Sequence, residues 1–578
     1  LNSQADLNFA MEILKTMKKL YTTCLLLIAG LCACAQNIVD ITDADLVGGQ
    51  TYNWTKNNVY VLEGTVFVED GAILNIEAGT LVKFKPNVSG TEPSALIICR
   101  GAKIFANGTV NDPIIFTAEI DDVADASDLG PTDNALWGGI AILGKASTSK
   151  NGGTEVNLEG IPTTEPRGVY GMPAGQNIDN DNSGSMRYCS IRHGGSALTS
   201  GSELNGLSLG AVGSGTTLEY IEIYANSDDG IEFFGGTVNL KYAAVAFVED
   251  DSYDWDEAYT GKGQFWFSIQ RSDVADNGWE CDGSTPDNTA PYSDPIVYNA
   301  THIGSGPGAA AGNATGWLLR AGTRGFIANS LVTEMKNKAI EVQDRPGNTT
   351  TDAYSQLIAG ELNIKNNLFW NCGTNTNIDM TSSGIIRSTA TNGLGGEDST
   401  CTFLINHLNT NANLIQNPQI VNVSRTQDNL LDPRPSASGA AYSTALAALP
   451  SGDPFFTNVT YKGAFSANAA ELWLHNWSTL FKNNHLSKVA SVESLAANKF
   501  EFSLAPNPAS DEVQVRFVAN GQTSLQIINM NGNLIQSLPF NTKGPVSAEI
   551  DIRNFSKGIY LLMLSDGQST STQKLVVQ

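Results

Sequence analysis

Apolar and polar positions alternate with a period of two in short runs broken by Gly and Asn. GTVFVEDGAILNIEAGTLVKF (64–84) and ALIICRGAKIFANGTVNDPIIFTAE (95–119) carry the pattern most plainly. No stretch of comparable length has a helical period, so the pattern predicts an all-β protein built from short strands.

A longer period lies over the short one. NGLSL (205–209), DGIEF (229–233), DSYDW (251–255), NGWEC (277–281), TGWLL (315–319) and KAIEV (338–342) align, with starts separated by 24, 22, 26, 38 and 23 residues. That spacing suits coils of a solenoid with one inserted loop. Second strands fall between them, as in LEYIEIY (218–224), LKYAAVAF (240–247) and GFIANSLV (325–332). A parallel β-helix accounts for both periods, because stacked coils bury the inward residues and extrude insertions as loops. An antiparallel sandwich is the alternative, since strand direction is invisible in sequence.

From about Asn53 to Trp477 the chain resembles the secreted right-handed β-helix proteins of Bacteroidetes, of pectate-lyase-like architecture. The resemblance is carried by GAILNIEAGT (71–80), WGGIAILGKA (137–146), the run from 203 to 242, YKGAF (461–465), Trp473 and Trp477. It implies a fold and a secretion route without fixing an activity.

Both ends read as addresses. MKKLYTTCLLLIAGLCACAQ from Met17 joins two lysines, an apolar run too short to span a bilayer comfortably, and the small-residue site Ala33-Cys34-Ala35. Residues 17–35 are therefore expected to be a signal peptide, with 1–16 lying upstream of the true start. A lipoprotein signal modified at Cys34, or a membrane anchor, are the alternatives. At the other end, residues 499–578 show alternating strands separated by Asn-Gly and Lys-Gly turns, a small antiparallel β-sandwich. This tail resembles the C-terminal sorting domain of type IX secretion cargo in Pro506, Asn507, Pro508 and Asp511, in the Asn531-Gly532 turn, in Gly558 and Tyr560, and in a last strand from Lys574. The resemblance implies a translocon and a sorting peptidase as partners, with export through the periplasm. Release or attachment at the outer-membrane surface would follow, with no transmembrane helix in the mature protein. The β-helix is expected over 36–486, joined by a linker at 487–498.

Composition sharpens this picture. The 578 residues carry 59 acidic and 34 basic side chains, a formal charge of −25, yet only 16% are charged and 41% are hydrophobic. A disordered acidic protein is excluded, and so is a basic nucleic-acid footprint. Five cysteines outside the signal, an odd number with no C-x-x-C pair, give neither a disulfide framework nor a zinc site. Residues 222–282 hold 14 acids and 3 basic residues, so nearly half of the excess charge sits in three repeats.

The fourth repeat position predicts a column of Ser208, Glu232, Asp254, Glu280, Leu318 and Glu341. Coils stack about 4.8 Å apart, so three of these acids in sequence need a compensating partner. With Asp228, Asp229, Asp250, Asp251 and Asp276 nearby, they form the candidate ligand or metal face. An all-oxygen set of this kind suits Ca²⁺, the candidate cofactor. Arg271, Lys262, Arg320 and Arg345 are the basic residues at hand. Asp179, Asp181 and Ser183 match half of a calcium loop, but its twelfth position is Ser190, and an Asx-rich turn is the competing explanation. Trp255, Trp279 and Trp317 occupy inward positions and are read as core.

Three functions fit. The first is a surface β-helix that binds glycan or another extracellular ligand with calcium. The second is a polysaccharide lyase or glycoside hydrolase acting at 228–282. Asp228-Asp229-Gly230 resembles the paired aspartates of polygalacturonases, but His193-Gly194-Gly195 precedes the pair and no Arg-Ile-Lys follows. The third is a structural adhesin.

Overall fold

The structure is a computed structural model that describes residues 36–86, 93–198, 204–312, 314–347, 350–373, 386–388, 396–488, 502–529, 533–566 and 570–578. The expected signal peptide, most of the linker and the Asn531-Gly532 turn lie outside the described residues. Two compact units divide the chain near residue 487.

The first unit is the parallel β-helix that the repeat predicts. One face is a row of ten parallel strands, running from Thr65–Val68 and Ala95–Ile98 through Ile140–Leu143, Leu207–Gly210, Ile231–Phe234, Tyr253–Asp256, Trp279–Asp282, Trp317–Arg320 and Ile340–Val342 to Ile386–Ser388. The register of the predicted column is the observed one: Ser208 pairs with Glu232, Glu232 with Asp254, Asp254 with Glu280, Glu280 with Leu318 and Leu318 with Glu341.

The remaining faces share an 18-stranded sheet. Early coils cover two rows with two strands, such as Lys103–Asn107 and Ile114–Ala118, whereas Gly184–Arg192 pairs with both at once. It does so by bending at Tyr188, and the following coils bend at Tyr220, Tyr242 and Phe265, all with φ between +47° and +61°. The left-handed conformation costs about 1 kcal/mol or more for a non-glycine residue. The aromatic rings offset part of that cost by stacking coil on coil, Tyr188 on Tyr220 at 4.2 Å and Tyr220 on Tyr242 at 4.4 Å.

Inside, alternation does what the pattern implies. Ile231, Phe233, Tyr253, Trp255, Trp279, Cys281, Trp317 and Leu319 are all buried. Trp279 and Trp317 stack at 5.0 Å across neighbouring coils. Trp266, whose place the repeat leaves open, is also core and donates its Nε1–H to Leu240 O. Cys99, Cys189, Cys281 and Cys372 are buried thiols, as small core residues would be.

Short helices such as Ala353–Ala359 depart from the strand-only expectation, and a longer one follows. Gly396–Thr410 is an α-helix whose Leu404 and Leu408, four residues apart, are buried against the last coils. Two apolar anchors in fifteen residues give too weak a periodic signal to read.

Beyond this helix, a segment up to Leu486 folds back on the outside of the large sheet. It buries Leu431, Phe465, Leu474 and Leu480 on Tyr224, Ala244, Ala246 and Phe267. A buried carboxylate fastens it: Glu222 accepts from Ser190 Oγ at 2.7 Å, Thr479 N at 2.6 Å and Leu480 N at 3.1 Å. Hydrogen bonds to a charged group contribute about 1.5–3 kcal/mol each, so this one side chain is a substantial anchor. Tyr224 and His485 meet at 2.9 Å in the same interface.

The second unit has five antiparallel strands, Phe502–Ala505, Glu512–Asn529, Leu534–Asp551, Gly558–Ser565 and Thr570–Val577, hydrogen-bonded as one sheet around its own apolar core. The last strand begins already at Thr570, ahead of Lys574. The Pro506-Asn507-Pro508 turn pins that strand: Asn507 Nδ2 donates to Lys574 O at 2.6 Å, and Asn507 Oδ1 accepts from Val576 N at 2.9 Å. Ala509 continues the bridge to Val576 and Gln578. Asp511 accepts through its carbonyl from Ile552 N, and Tyr560 donates its hydroxyl to Ser556 O at 2.9 Å.

Candidate metal centre

Three successive coils present the same acidic pattern to one groove. Each enters its strand through two residues, Asp228-Asp229, Asp250-Asp251 and Asp276-Asn277, and then places an outward acid at Glu232, Asp254 or Glu280. Because the register between the strands is fixed, the pattern becomes three columns on one face. The groove of about 300 Å³ is lined by all eight acids, with Asn205 and Ser208 from the preceding coil and Glu159 from an inserted loop. A second recess lined by Thr315, Arg320, Asn337 and Glu341 shares Asp276 and Glu280 with it. From Ser208 to Glu341 the face spans five coil steps of about 4.8 Å, roughly 24 Å.

Several carboxylates are held by backbone. Asp229 Oδ1 accepts from Asp251 N at 2.9 Å, and Asp251 Oδ1 accepts from Asn277 N at 2.5 Å, so each locks the coil that follows. Glu232 Oε2 accepts from Asn205 Nδ2 at 2.5 Å. Arg320 donates to Asp282 Oδ1 at 2.6 Å and to Glu280 Oε2. Asp254 differs. It is 9% exposed, and its Oδ1 has no hydrogen-bond partner among the described residues. Asp276 Oδ1 shares that condition.

Burial, reinforced by neighbouring carboxylates, pushes Asp229, Glu232, Asp251 and Asp254 well above the usual carboxylate range. Burial raises Glu280 to about 8 and Asp282 to about 6, even though Arg320 pulls both down. Asp276 is raised by burial and by Asp250.

Triads of carboxylate oxygens lie within 4.8 Å of one another in Asp228, Asp229 and Asp250, in Asp229, Glu232 and Asp254, and in Asp250, Asp251 and Asp276. Among the described residues these triads contain seven of the eight acids. Glu280 is turned to Arg320 instead.

Of the four basic residues near in sequence, Arg320 alone pairs with the column. Arg271 pairs with Glu249 and Asp273, Lys262 with Asp453 and Arg345 with Asp287. Among the described residues, Asp179 and Asp181 belong to none of the carboxylate triads. Asp179 Oδ1 accepts from Ser147 N and Oγ, Asp181 Oδ2 accepts from Lys145 N, and Ser183 N donates to Thr216 Oγ1. Their bonds reach 32 to 36 residues along the chain and tie separate turns together, unlike a local Asx turn, while Ser190 lies in the following strand. Asn205 and Asp282 adjoin the acids and were legible as the first and sixth positions counted from the start of each repeat. Glu159 arrives from an insertion and had no signal.

The comparisons agree with this architecture. Residues 48–403 match a family model described as a pectate-lyase like beta helix domain, and the chain belongs to that family. Residues 503–578 match a secretion system C-terminal sorting domain. The protein is therefore cargo of type IX secretion, delivered to the extracellular space or the outer-membrane surface, and its tail engages the secretion machinery. A search of curated proteins finds no match. Among the described residues no helix is long and apolar enough to cross a membrane.

Proposed function

We propose that the acidic groove takes up divalent cations, Ca²⁺ above all, and through them holds an extracellular glycan at the cell surface or in the medium. The observation that carries this reading is the Asp254 carboxylate, nine-tenths buried with Oδ1 unpartnered and flanked in its column by Glu232 and Glu280. A buried acceptor left unsatisfied costs about 1–3 kcal/mol, more when charged, and like charges directly opposite in a sheet add to that. A hard cation removes both costs and offers coordination positions to ligand oxygens. The sign of the groove otherwise excludes polyanions, so the cation also decides which ligands can approach.

The test is retention of the full chain on immobilised acidic and neutral polysaccharides in calcium or in chelator. Calcium-dependent retention is expected on at least one acidic polymer, weakened roughly tenfold or more in Asp254→Ala. Equal retention in chelator would contradict the reading.

A lyase or hydrolase has one observation in its favour: Glu280, raised to about 8 beside Arg320, keeps a proton near neutral pH as a general acid must. Unsaturated or reducing ends released in the same incubation, and lost in a folded Glu280→Ala variant, would establish it.

A further inference from the structure

Resting on that reading, we infer that the groove is closed at one end and takes the terminus of a glycan chain, not a stretch from its middle.

The outward row that carries the acids does not begin at Ser208. Its register runs back through three earlier coils, with Ser208 beside Ala141, Ala141 beside Ile97 and Ile97 beside Phe67. One unbroken row of side chains therefore changes from apolar to acidic across Ser208. Left bare, the apolar half would be an exposed strip that water disfavours. The insertion between Leu143 and Gly184 covers it: Leu158, Ile161 and Tyr170 are buried with Phe67, Ile97, Ala141 and Phe234. Tyr170 lies against the end of the Ser208 strand at Gly210, where a Cβ would come within 2.8 Å of its ring. The same insertion supplies Glu159, which lines the groove with Leu204, Asn205 and Ser208. The groove thus starts at a wall. Past it the row leaves cover, with Glu232, Glu280 and Leu318 half-buried, and the second recess carries the face on to Thr315 and Glu341.

The wall is pinned on two sides. Glu257, fully buried, accepts from Tyr170 Oη at 2.7 Å and from Thr148 Oγ1 at 2.8 Å, and pairs with Lys150 Nζ at 2.7 Å. Arg167 donates to Asp43 and Glu165 and lies 4.1 Å over the Phe67 ring. Charge-assisted bonds of this kind, most of them sheltered from water, hold an insertion in one arrangement. A glycan laid along the row cannot pass Ser208, so one of its ends has to stop there, against Glu159.

Competition on a column tests this. The full chain is retained in calcium on immobilised alginate or polygalacturonate and eluted with the same polymer cut to defined mean lengths. An end-binding groove responds to the molar number of chain ends, so chains cut tenfold shorter elute the protein at about one tenth of the mass concentration. Elution at one mass concentration whatever the chain length would overturn the closed groove and leave calcium-dependent glycan binding standing. Retention on neither acidic polymer in calcium would overturn the proposed function, and the closed-groove inference with it.

Discussion

Calcium added to the metal-free chain at pH 8 is expected to raise its melting temperature by several degrees, and the same addition at pH 5 is expected to do far less. The cause is the sign of the carboxyl shifts. Glu280 is raised from 4.5 to about 8 and Asp282 from 3.8 to about 6, by burial in both cases. A carboxyl raised in the folded state contributes stability that is fully present below its unfolded pKa and is lost as pH climbs through the folded one. The metal-free groove therefore weakens the fold between about pH 4 and 8, the reverse of ordinary acid denaturation. Each tenfold change in proton affinity corresponds to about 1.4 kcal/mol, so Glu280 alone makes this an effect of a few kcal/mol. An ion that binds only the folded groove returns about 2.7 kcal/mol at a hundredfold excess over its Kd.

Buried histidines act in the opposite direction. His485, against Tyr224, is lowered from 6.5 to about 4 by burial, so its contribution is lost as pH falls from 6.5 through 4. Comparing wild type with Glu280→Gln cancels that background. Without calcium the variant melts higher than wild type at pH 8 and equally at pH 4, and the difference grows with pH. A wild type that melts higher than the variant at pH 8 without metal would refute the assignment.

Removing residues 503–578 is expected to abolish delivery to the surface or medium and to leave the chain inside the outer membrane. The tail is a separate unit with its own core, built from Val513, Phe517, Ile527, Leu562 and Leu575. Its last strand is held at both ends of Asn507's amide, so the sorting element is a folded surface. The truncated chain keeps the β-helix core and the acidic triads, so it is expected to keep the proposed calcium uptake when purified from the periplasm. Cell fractionation with a surface protease checks the first outcome and calcium dialysis the second. Surface delivery without the tail would contradict the sorting role.

The site was legible wherever the repeat fixes geometry. Glu232, Asp254 and Glu280 could be placed in one column from their spacing alone, because stacked parallel coils allow one register in which the apolar positions Ile231, Tyr253 and Trp279 all face inward. Asp228, Asp250 and Asp276 follow from the same alignment. Whatever enters from outside the repeat was not legible. Glu159 comes from an insertion whose landing place no period records, and the choice of Arg320 over Arg271 or Lys262 depends on which coil each belongs to. The segment that covers Tyr224 and Phe267 was visible only as scattered aromatics such as Trp473, because its partners lie far along the chain, as with Phe465 on Phe267 and Thr479 on Glu222. Asp179 and Asp181 show the converse. A local motif suggested a ligand set, yet each carboxylate is satisfied by a neighbouring turn.

Anomalous diffraction from crystals soaked in a lanthanide, a hard oxygen-seeking substitute for calcium, tests the acidic face most directly. A strong peak is expected within coordination distance of Asp254 Oδ1, in the groove bounded by Glu232 and Glu280. Saturating metal that leaves this groove empty while binding elsewhere on the chain would contradict it.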